Sequence, residues 1–185
     1  MPGGPAPAAV VGFWQEAGPA KWFAKDAAFD AEIAEHFGEA HHAAARGEFD
    51  HWAADWQGAL ALLILLDQFP RNLFRGSAHA FATDPKARQI ARAALAAGHD
   101  RAAPAALRSF FYLPFEHSED LADQDLCLRL CQALDAETGG DAAHWAAEHR
   151  DIIARFGRFP HRNAVLARET SDEEQKFLDQ GGFAG

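Results

Sequence analysis

The chain has 185 residues, of which 49% are apolar and 24% are charged, so it can bury the core of one domain and is unlike a disordered protein. About 40 residues are alanine, whereas valine, isoleucine and threonine together number 11, and this balance excludes a mainly β fold. The net charge of −10 argues against a nucleic-acid-binding protein, because such proteins gain affinity by neutralising phosphates.

The N-terminal residues lack the features of a targeting segment. Residues 1–7 contain no basic side chain and no long apolar stretch, so they do not resemble a secretory signal, and we expect residues 1–6 to form a flexible arm. The longest wholly apolar run, Ala59 to Leu66, is far shorter than the roughly 20 residues that span a bilayer. We therefore expect no membrane partner.

Hydrophobic spacing and stop signals predict three helices in the first part of the chain. They run from Pro7 to Ala17, from Asp26 to Gly47 and from about Phe49 to Asp67. Asp26 is the expected N-cap of the second helix, and Gly47 is its expected stop. The third helix ends in turns that are apolar on every side, which predicts a central, buried position.

Five further helices are predicted in the rest of the chain. They run from Asp84 to Gly98, from about Pro104 to Tyr112, from Ser118 to about Glu137, from Asp141 to Phe156, and from Thr170 to Gly181. Asp84, Ser118 and Asp141 are the expected caps, and Thr170 with Glu173 forms an expected capping box. Irregular chain is expected at residues 69–83 and 158–168, and Pro114 is expected to break the chain. The prediction is a single all-α domain of about eight helices over residues 1–185.

A short pattern occurs twice, about 90 residues apart. Residues 68–72 have the sequence Gln-Phe-Pro-Arg-Asn, and residues 158–163 have Arg-Phe-Pro-His-Arg-Asn. In each copy we expect Phe-Pro to end a helix and Arg-Asn to begin the exit loop. The repetition suggests a duplicated helix–loop–helix unit, although two matches this short are also compatible with chance.

Asp67 is the first residue with a potential functional role. It lies at the C-terminal end of a predicted buried helix, where a carboxylate meets the negative end of the helix dipole. It should therefore have a cationic partner, for which Arg71, Arg155 and Arg158 are candidates. The pair would be either a structural ion pair or a carboxylate held by arginine beside a ligand.

Glu116 and His117 form the second candidate group. The next residues have structural roles: Ser118 is the expected cap of the following helix, and Glu119 and Asp120 lie in its first turn, where the helix dipole favours carboxylates. These roles do not account for Glu116 and His117. His117 next to acids would have its charged form favoured and could act as a general acid. A metal site here would need ligands from other helices, such as His149 or His161, and no recognised ligand spacing is present, so we assign no metal.

Basic residues concentrate near the C-terminus of this acidic chain. Between residues 149 and 168 there are five arginines and one acid. The group comprises His149, Arg150, Arg155, Arg158, His161, Arg162, Asn163 and Arg168. Arginine suits bidentate binding of carboxylate or phosphate, so this group predicts an anion site, or else ion pairs with the acids of residues 116–123.

Cys127 and Cys131 are the two cysteines of the chain. They lie four residues apart on a predicted helix and therefore face one way, which makes a disulfide unexpected and fits a reducing cytoplasm. We interpret them as small buried apolar side chains. A metal pair would need further ligands from a neighbouring helix.

Three motifs in order resemble one bacterial family, the domain-of-unknown-function family 924. They are Leu-Leu-Asp-Gln-Phe-Pro-Arg-Asn at 65–72, Leu-Pro-Phe-Glu-His-Ser-Glu-Asp at 113–120 and Arg-Phe-Gly-Arg-Phe-Pro-His-Arg-Asn at 155–163. The resemblance extends from Phe13 and Trp14 to Phe177 and Leu178. It implies an all-α, right-handed superhelix like that of tetratricopeptide repeats, and it brings no established reaction. One departure is Ala167, where the family more often has glycine.

Two functional hypotheses follow, and no reaction or cofactor is assigned to either. In the first, the two Arg-Asn segments and Glu116-His117 converge at a pocket for a small anionic ligand. The anion would be held by Arg71, Arg75, Arg158 and Arg162. A proton would be moved by His117 or His161, and Asp67 and Glu116 would orient these basic side chains. The remaining lining residues would be Asn72, His149 and Asn163. In the second, the protein is an interaction scaffold for peptides, and the same motifs are internal ion-pair networks.

Overall fold

The computed structural model describes residues 4–183, so the first three residues of the expected arm lie outside it. All secondary structure in this range is helical, which confirms the all-α prediction. None of the helices in residues 4–183 combines the length and the apolar character of a membrane-spanning segment. The chain divides into two compact units. The first unit comprises the chain up to Arg75 together with His79–Pro114, and the second comprises Gly76–Ala78 together with the chain from Phe115 onward. The single domain stays a prediction.

The α-helices, in chain order, have the following bounds. They are α1 Pro7–Ala17, α2 Pro19–Trp22, α3 Ala27–Ala45, α4 Trp56–Leu63, α5 Phe69–Leu73, α6 Asp84–Ala96, α7 His99–Ala102, α8 Leu113–Glu116, α9 Leu121–Thr138, α10 Ala142–Phe156 and α11 Asp172–Asp179. 3₁₀ helices lie at Asp50–Ala54, Ala78–Phe81, Ala105–Phe111 and Pro160–Arg162.

The core of the first unit surrounds α4, whose continuous apolar sequence is fully buried as predicted. Aromatic rings from well-separated parts of the chain meet beside it: Trp14 packs edge-on against Phe69 at 5.6 Å and against Phe110 at 5.7 Å between ring centroids. Burial of such large rings provides much of the free energy of folding of this unit. The predicted α1 and the Asp26 cap of α3 are confirmed, with Asp26 accepting from the N–H of Ala28 at 2.9 Å.

The prediction of one helix from Phe49 to Asp67 is wrong at both ends. The chain first forms the 3₁₀ helix at residues 50–54, and α4 begins after Asp55, whose side chain accepts from the N–H of Gly58 at 2.9 Å. At the other end the helix continues through a π-helical turn, Ile64–Gln68, into α5. Pro70 lies in the first turn of α5, and it has no N–H to donate to a carbonyl of the preceding turn.

Two side chains compensate for the irregular turn. The N–H of Phe69 donates to the carbonyl of Ile64, one residue further back than in an α-helix. The carbonyl of Leu65 instead accepts from His41 Nδ1 at 2.8 Å. The carbonyl of Leu66, which in a regular helix would accept from residue 70, accepts from Thr83 Oγ1 at 2.5 Å. The π turn is therefore supported by side chains from distant parts of the unit.

Other predicted helix ends in the first unit also need correction. Asp84 is the first residue of α6 and binds Arg71, while Thr83 occupies the cap position without capping. Pro114 does not break the chain, since it lies within α8. The segment predicted as a helix near Pro104 is the 3₁₀ helix at 105–111.

In the second unit, α9 and α10 pack along each other. The predicted helices are confirmed, but their caps are shifted. Asp120 caps α9 in place of Ser118, whose hydroxyl donates to Asp123 at 2.8 Å. The first N–H groups of α10 bind Asp135 instead of Asp141. The capping box of α11 is Ser171 with Glu174, one residue later than Thr170 with Glu173, because two neighbouring pairs fit the same motif and the backbone selects one.

The two copies of the Phe-Pro pattern adopt different structures. In the first copy Phe69 and Pro70 begin α5, and in the second Pro160 begins a 3₁₀ helix. Both place proline in the first turn of a helical segment, which is where proline is tolerated. The prediction that Phe-Pro ends a helix and Arg-Asn begins a loop is therefore wrong for the first copy.

Ala167 adopts the left-handed conformation, with a φ of 52°. This conformation costs an L-residue with a Cβ atom roughly 1–2 kcal/mol, and glycine avoids that cost. We therefore expect Ala167→Gly to raise the free energy of unfolding by about 0.5–1 kcal/mol, measured by chemical denaturation. Ala164→Gly, in the same loop but without positive φ, is the control and should lower it; equal losses in both variants would contradict the prediction.

Candidate functional site

Arg71 lies between two carboxylates in the first unit. Its Nη1 is 3.3 Å from Asp67 Oδ1, and its guanidinium donates to both oxygens of Asp84, each at 3.1 Å. Burial lowers the pKa of Arg71, but the two carboxylates outweigh it and raise the pKa overall. Asp67 is completely buried and also accepts from Gln68 at 2.6 Å. The predicted partner of Asp67 is therefore found.

Asn72 and Arg75, predicted ligand-binding residues, both donate to Asp30 of α3. Asn72 Nδ2 is 2.7 Å from Asp30 Oδ1, and Arg75 Nε is 2.6 Å from Asp30 Oδ2. Burial raises the pKa of Asp30, but these donors outweigh it and lower the pKa. In this arrangement both side chains attach the end of α5 to α3.

Glu119 organises the polar residues of the second unit. It accepts from Arg168 at 2.7 and 3.0 Å and from the N–H of Phe159 at 2.8 Å. Burial raises the pKa of Glu119, but these hydrogen bonds outweigh burial, so the pKa is lowered overall. Arg168 also donates to Asn163 Oδ1 at 3.0 Å. Asn163, a predicted ligand-binding residue, is completely buried, and its side-chain oxygen is bound within the protein.

Three other arginines of the basic segment also pair with acids: Arg150 binds Asp125, which precedes the segment, and Arg155 and Arg158 bind acids that follow it. Arg158 donates to Glu174 at 2.6 and 2.8 Å. This contact, together with hydrogen bonds from Ser171, outweighs the effect of burial and lowers the pKa of Glu174 to about 2. Arg155 binds Glu173 at 3.0 Å. Of the three arginines suggested as partners of Asp67, Arg71 is the one found beside it, and Arg155 and Arg158 bind acids of their own unit.

The remaining histidine and arginine candidates are packed against aromatic rings or partly buried. Arg162 is buried, with its guanidinium 4.6 Å from the centre of the Phe159 ring. His161 is half-buried, with its ring 5.2 Å from that of Phe183. His117 is half-buried between α8 and α9.

A second cluster in this unit contains two predicted residues and both cysteines. Cys127 Sγ lies 3.8 Å from Cys131 Sγ and 3.8 Å from Glu116 Oε2. His149 Nδ1 lies 3.6 Å from Glu116 Oε1 and donates to the carbonyl of Trp145 at 2.9 Å. All four side chains are buried. Contact with Cys131, burial and the Glu116 carboxylate together raise the pKa of Cys127.

The predicted site residues thus occupy separate clusters within each unit. The expected convergence of both Arg-Asn segments with Glu116 and His117 involves residues of both units and stays a prediction. Of the acids that bind the arginines, Glu119 lies in the acidic stretch 116–123 that was predicted as an alternative partner of the basic segment. The other three, Asp30, Asp84 and Glu174, were not identified from the sequence, because each lies 13 or more residues along the chain from its arginine. For the cluster of Glu116 with the two cysteines, the sequence offered one signal: the four-residue spacing that places Cys127 and Cys131 on the same face of a helix.

Comparison with known proteins places the chain in a family. The model of a bacterial protein family of unknown function, DUF924, matches residues 10–182. A solved structure of a protein of unknown function from Agrobacterium tumefaciens is 54% identical, with a TM-score of 0.89 over 95% of this chain and 97% of that chain. No curated protein matches. The chain belongs to the bacterial DUF924 family.

Proposed function

We propose that the protein is a helical interaction module in the cytoplasm, in which the motif arginines are structural and the surface binds a partner. The observation that supports this is the pairing of those arginines with carboxylates of their own unit. Arg71, Arg75, Arg158 and Arg168 all form such pairs. An anionic ligand would have to compete with these carboxylates. The superhelix implied by the family resemblance is part of the proposal.

An open groove on the first unit has the chemistry of a binding surface. It is formed by residues of α1, α2 and α3, and we call it the α1–α3 groove. Its lining residues are Phe13, Glu16, Ala17, Lys21, Phe29 and Glu32. Phe13 and Phe29 stack at 5.5 Å, and Lys21 Nζ lies 5.1 Å from the centre of the Phe29 ring. The aromatic floor therefore already binds one cation.

The charge of the groove indicates the class of partner. Glu16 and Glu32 are both exposed at its edge, and the chain as a whole carries a net charge of −10. A peptide segment with a basic residue beside an aromatic or aliphatic side chain would fit both the carboxylates and the aromatic floor.

A random peptide display library, selected on the full chain, tests this proposal. Enriched peptides should contain Lys or Arg next to an apolar residue. The double variant Glu16→Gln, Glu32→Gln should bind them about tenfold or more weakly, because two rim charges are removed. Glu35→Gln on the exposed face of α3 is the matched control and should change nothing. Failure to enrich such peptides, or equal binding by all variants, would refute the proposal.

The competing proposal, a small anionic ligand, has its own test. Phosphates, carboxylates and nucleotides are screened by thermal denaturation, where a ligand at a hundred times its dissociation constant adds about 2.7 kcal/mol to stability. Under the interaction-module proposal no such anion stabilises the protein, and Arg162→Ala changes stability without changing any ligand response. A stabilising anion whose effect disappears in Arg162→Ala would favour the competing proposal.

A further inference from the structure

The cluster of Glu116, Cys127 and Cys131 has the composition of a metal site. Its carboxylate and two sulfur atoms all lie within 4.8 Å of one another, and all three side chains are buried. The two cysteines are separated by three residues on α9, so their sulfurs project from the same face of the helix. A Cys-x₃-Cys pair falls within the spacing that structural zinc sites use.

Two of the three distances between the ligand atoms agree with those in a tetrahedral zinc site. Two sulfurs bound to zinc at about 2.3 Å lie about 3.8 Å apart, and a bound sulfur and carboxylate oxygen lie about 3.6 Å apart. Here the two sulfurs are 3.8 Å apart, and Cys127 Sγ is 3.8 Å from Glu116 Oε2. The third pair, Cys131 Sγ and the Glu116 carboxylate, lies within 4.8 Å, so a shift of the carboxylate toward Cys131 would let one ion contact all three ligands.

His149 of α10 lies next to the carboxylate. Its Nδ1 is 3.6 Å from Glu116 Oε1 and 2.9 Å from the carbonyl of Trp145. Because a carbonyl only accepts, Nδ1 carries a proton, and at 3.6 Å a charged His149 would form an ion pair with the carboxylate. Histidines that orient a ligating carboxylate in this way typically strengthen metal binding by 10–100-fold.

We propose that Glu116, Cys127 and Cys131 bind one Zn²⁺ ion, with His149 holding the carboxylate in position. The ion would join α8 to α9 through three buried protein ligands, and a water molecule would fill the fourth tetrahedral position. The competing arrangement is a pair of thiols hydrogen-bonded to each other and to Glu116. The two arrangements differ in metal content, in the absorption of a cobalt derivative and in the response to conservative variants.

The full chain is produced in zinc-supplemented medium and also refolded from denaturant with Zn²⁺ under reducing conditions, since a buried site fills most readily during folding. We expect about one zinc per chain by elemental analysis in both preparations. Refolding with Co²⁺ should give the intense near-ultraviolet absorption of cobalt bound to thiolate. Absence of zinc from both preparations, or of this absorption, would overturn the proposal in favour of hydrogen-bonded thiols.

Variants then identify the ligands. The double variant Cys127→Ala, Cys131→Ala should lose the metal, and Glu116→Gln should bind it at least tenfold more weakly in competition with a chelator. His149→Asn should weaken binding 10–100-fold while keeping one ion per chain. Glu169→Gln and His144→Asn, both exposed in the same unit, are matched controls and should bind normally. If the cysteine variant does not fold, Glu116→Gln and the cobalt spectrum decide; unchanged binding in Glu116→Gln would refute the ligand assignment.

Discussion

Replacing Arg71 with methionine is expected to lower the free energy of unfolding by about 3–5 kcal/mol. Methionine keeps much of the length of the side chain but removes the charge that lies between Asp67 and Asp84. Asp67 is completely buried, so its carboxylate would lose its cation without gaining water. Chemical denaturation followed by circular dichroism measures the loss.

Two further variants show whether the buried charge is the cause. Arg75→Met removes an arginine whose side chain is 36% exposed, so we expect a loss of about 1 kcal/mol or less. The double variant Arg71→Met, Asp67→Asn removes both charges of the buried pair and should recover part of the stability lost by Arg71→Met alone. A similar loss for Arg71→Met and Arg75→Met would mean that burial does not determine the effect.

Gly58→Ala is expected to destabilise the protein by about 3 kcal/mol, the upper end of the range for overpacking. A Cβ atom at residue 58 would lie 1.9 Å from the carbonyl oxygen of Trp52 and 2.7 Å from its carbonyl carbon. The obstacle is backbone, so a change of rotamer cannot relieve it. Either the 3₁₀ helix at 50–54 or the start of α4 would have to move, which would break the hydrogen bond from Gly58 to Asp55.

The same substitution at Gly38 is the matched control and should have the opposite sign. Gly38 lies in the middle of α3, and a Cβ atom there would meet nothing within 4 Å. Alanine is better than glycine in a helix by roughly 0.5–1 kcal/mol, so Gly38→Ala should stabilise the protein by about that amount. Destabilisation by Gly38→Ala, or a neutral Gly58→Ala, would contradict this account of the two glycines.

The prediction of helices from spacing succeeded where the signal was local. The Asp26 cap, the bounds of α1 and the end of α10 at Gly157 all depend on residues within one turn of each other. Some predictions that failed concern positions where distant side chains decide, whereas the caps of α9 and α11 lie one or two residues from their predicted places, because neighbouring side chains fit the same motif. The π turn before Pro70 is supported by His41 and Thr83, and neither residue is close enough in sequence to signal it.

The sequence indicated which residues belong to the polar clusters but not which residues they bind. Residue type and local charge identified Asp67 with Arg71, Glu116, His149 and the basic segment. The same evidence could not distinguish a ligand from an internal acid as the partner of each arginine. Arg75 binds an acid 45 residues away, and Arg168 binds one 49 residues away, so pairing depends on the packing of helices. The sequence predicts that Cys127 and Cys131 are buried on one helix face, which is confirmed, but it does not show that Glu116 approaches them.

The sequence by itself determined the helical class, most helix positions, the family and the residues that carry charge in buried places. These properties depend on composition, on the helical period and on short motifs, all of which are local. Only the tertiary structure decided which acid each arginine binds and that a carboxylate, two thiols and a histidine lie together in the second unit. The physical reason is that an ion pair or a ligand set is a contact between helices, and helix packing brings together residues that the order of the chain separates.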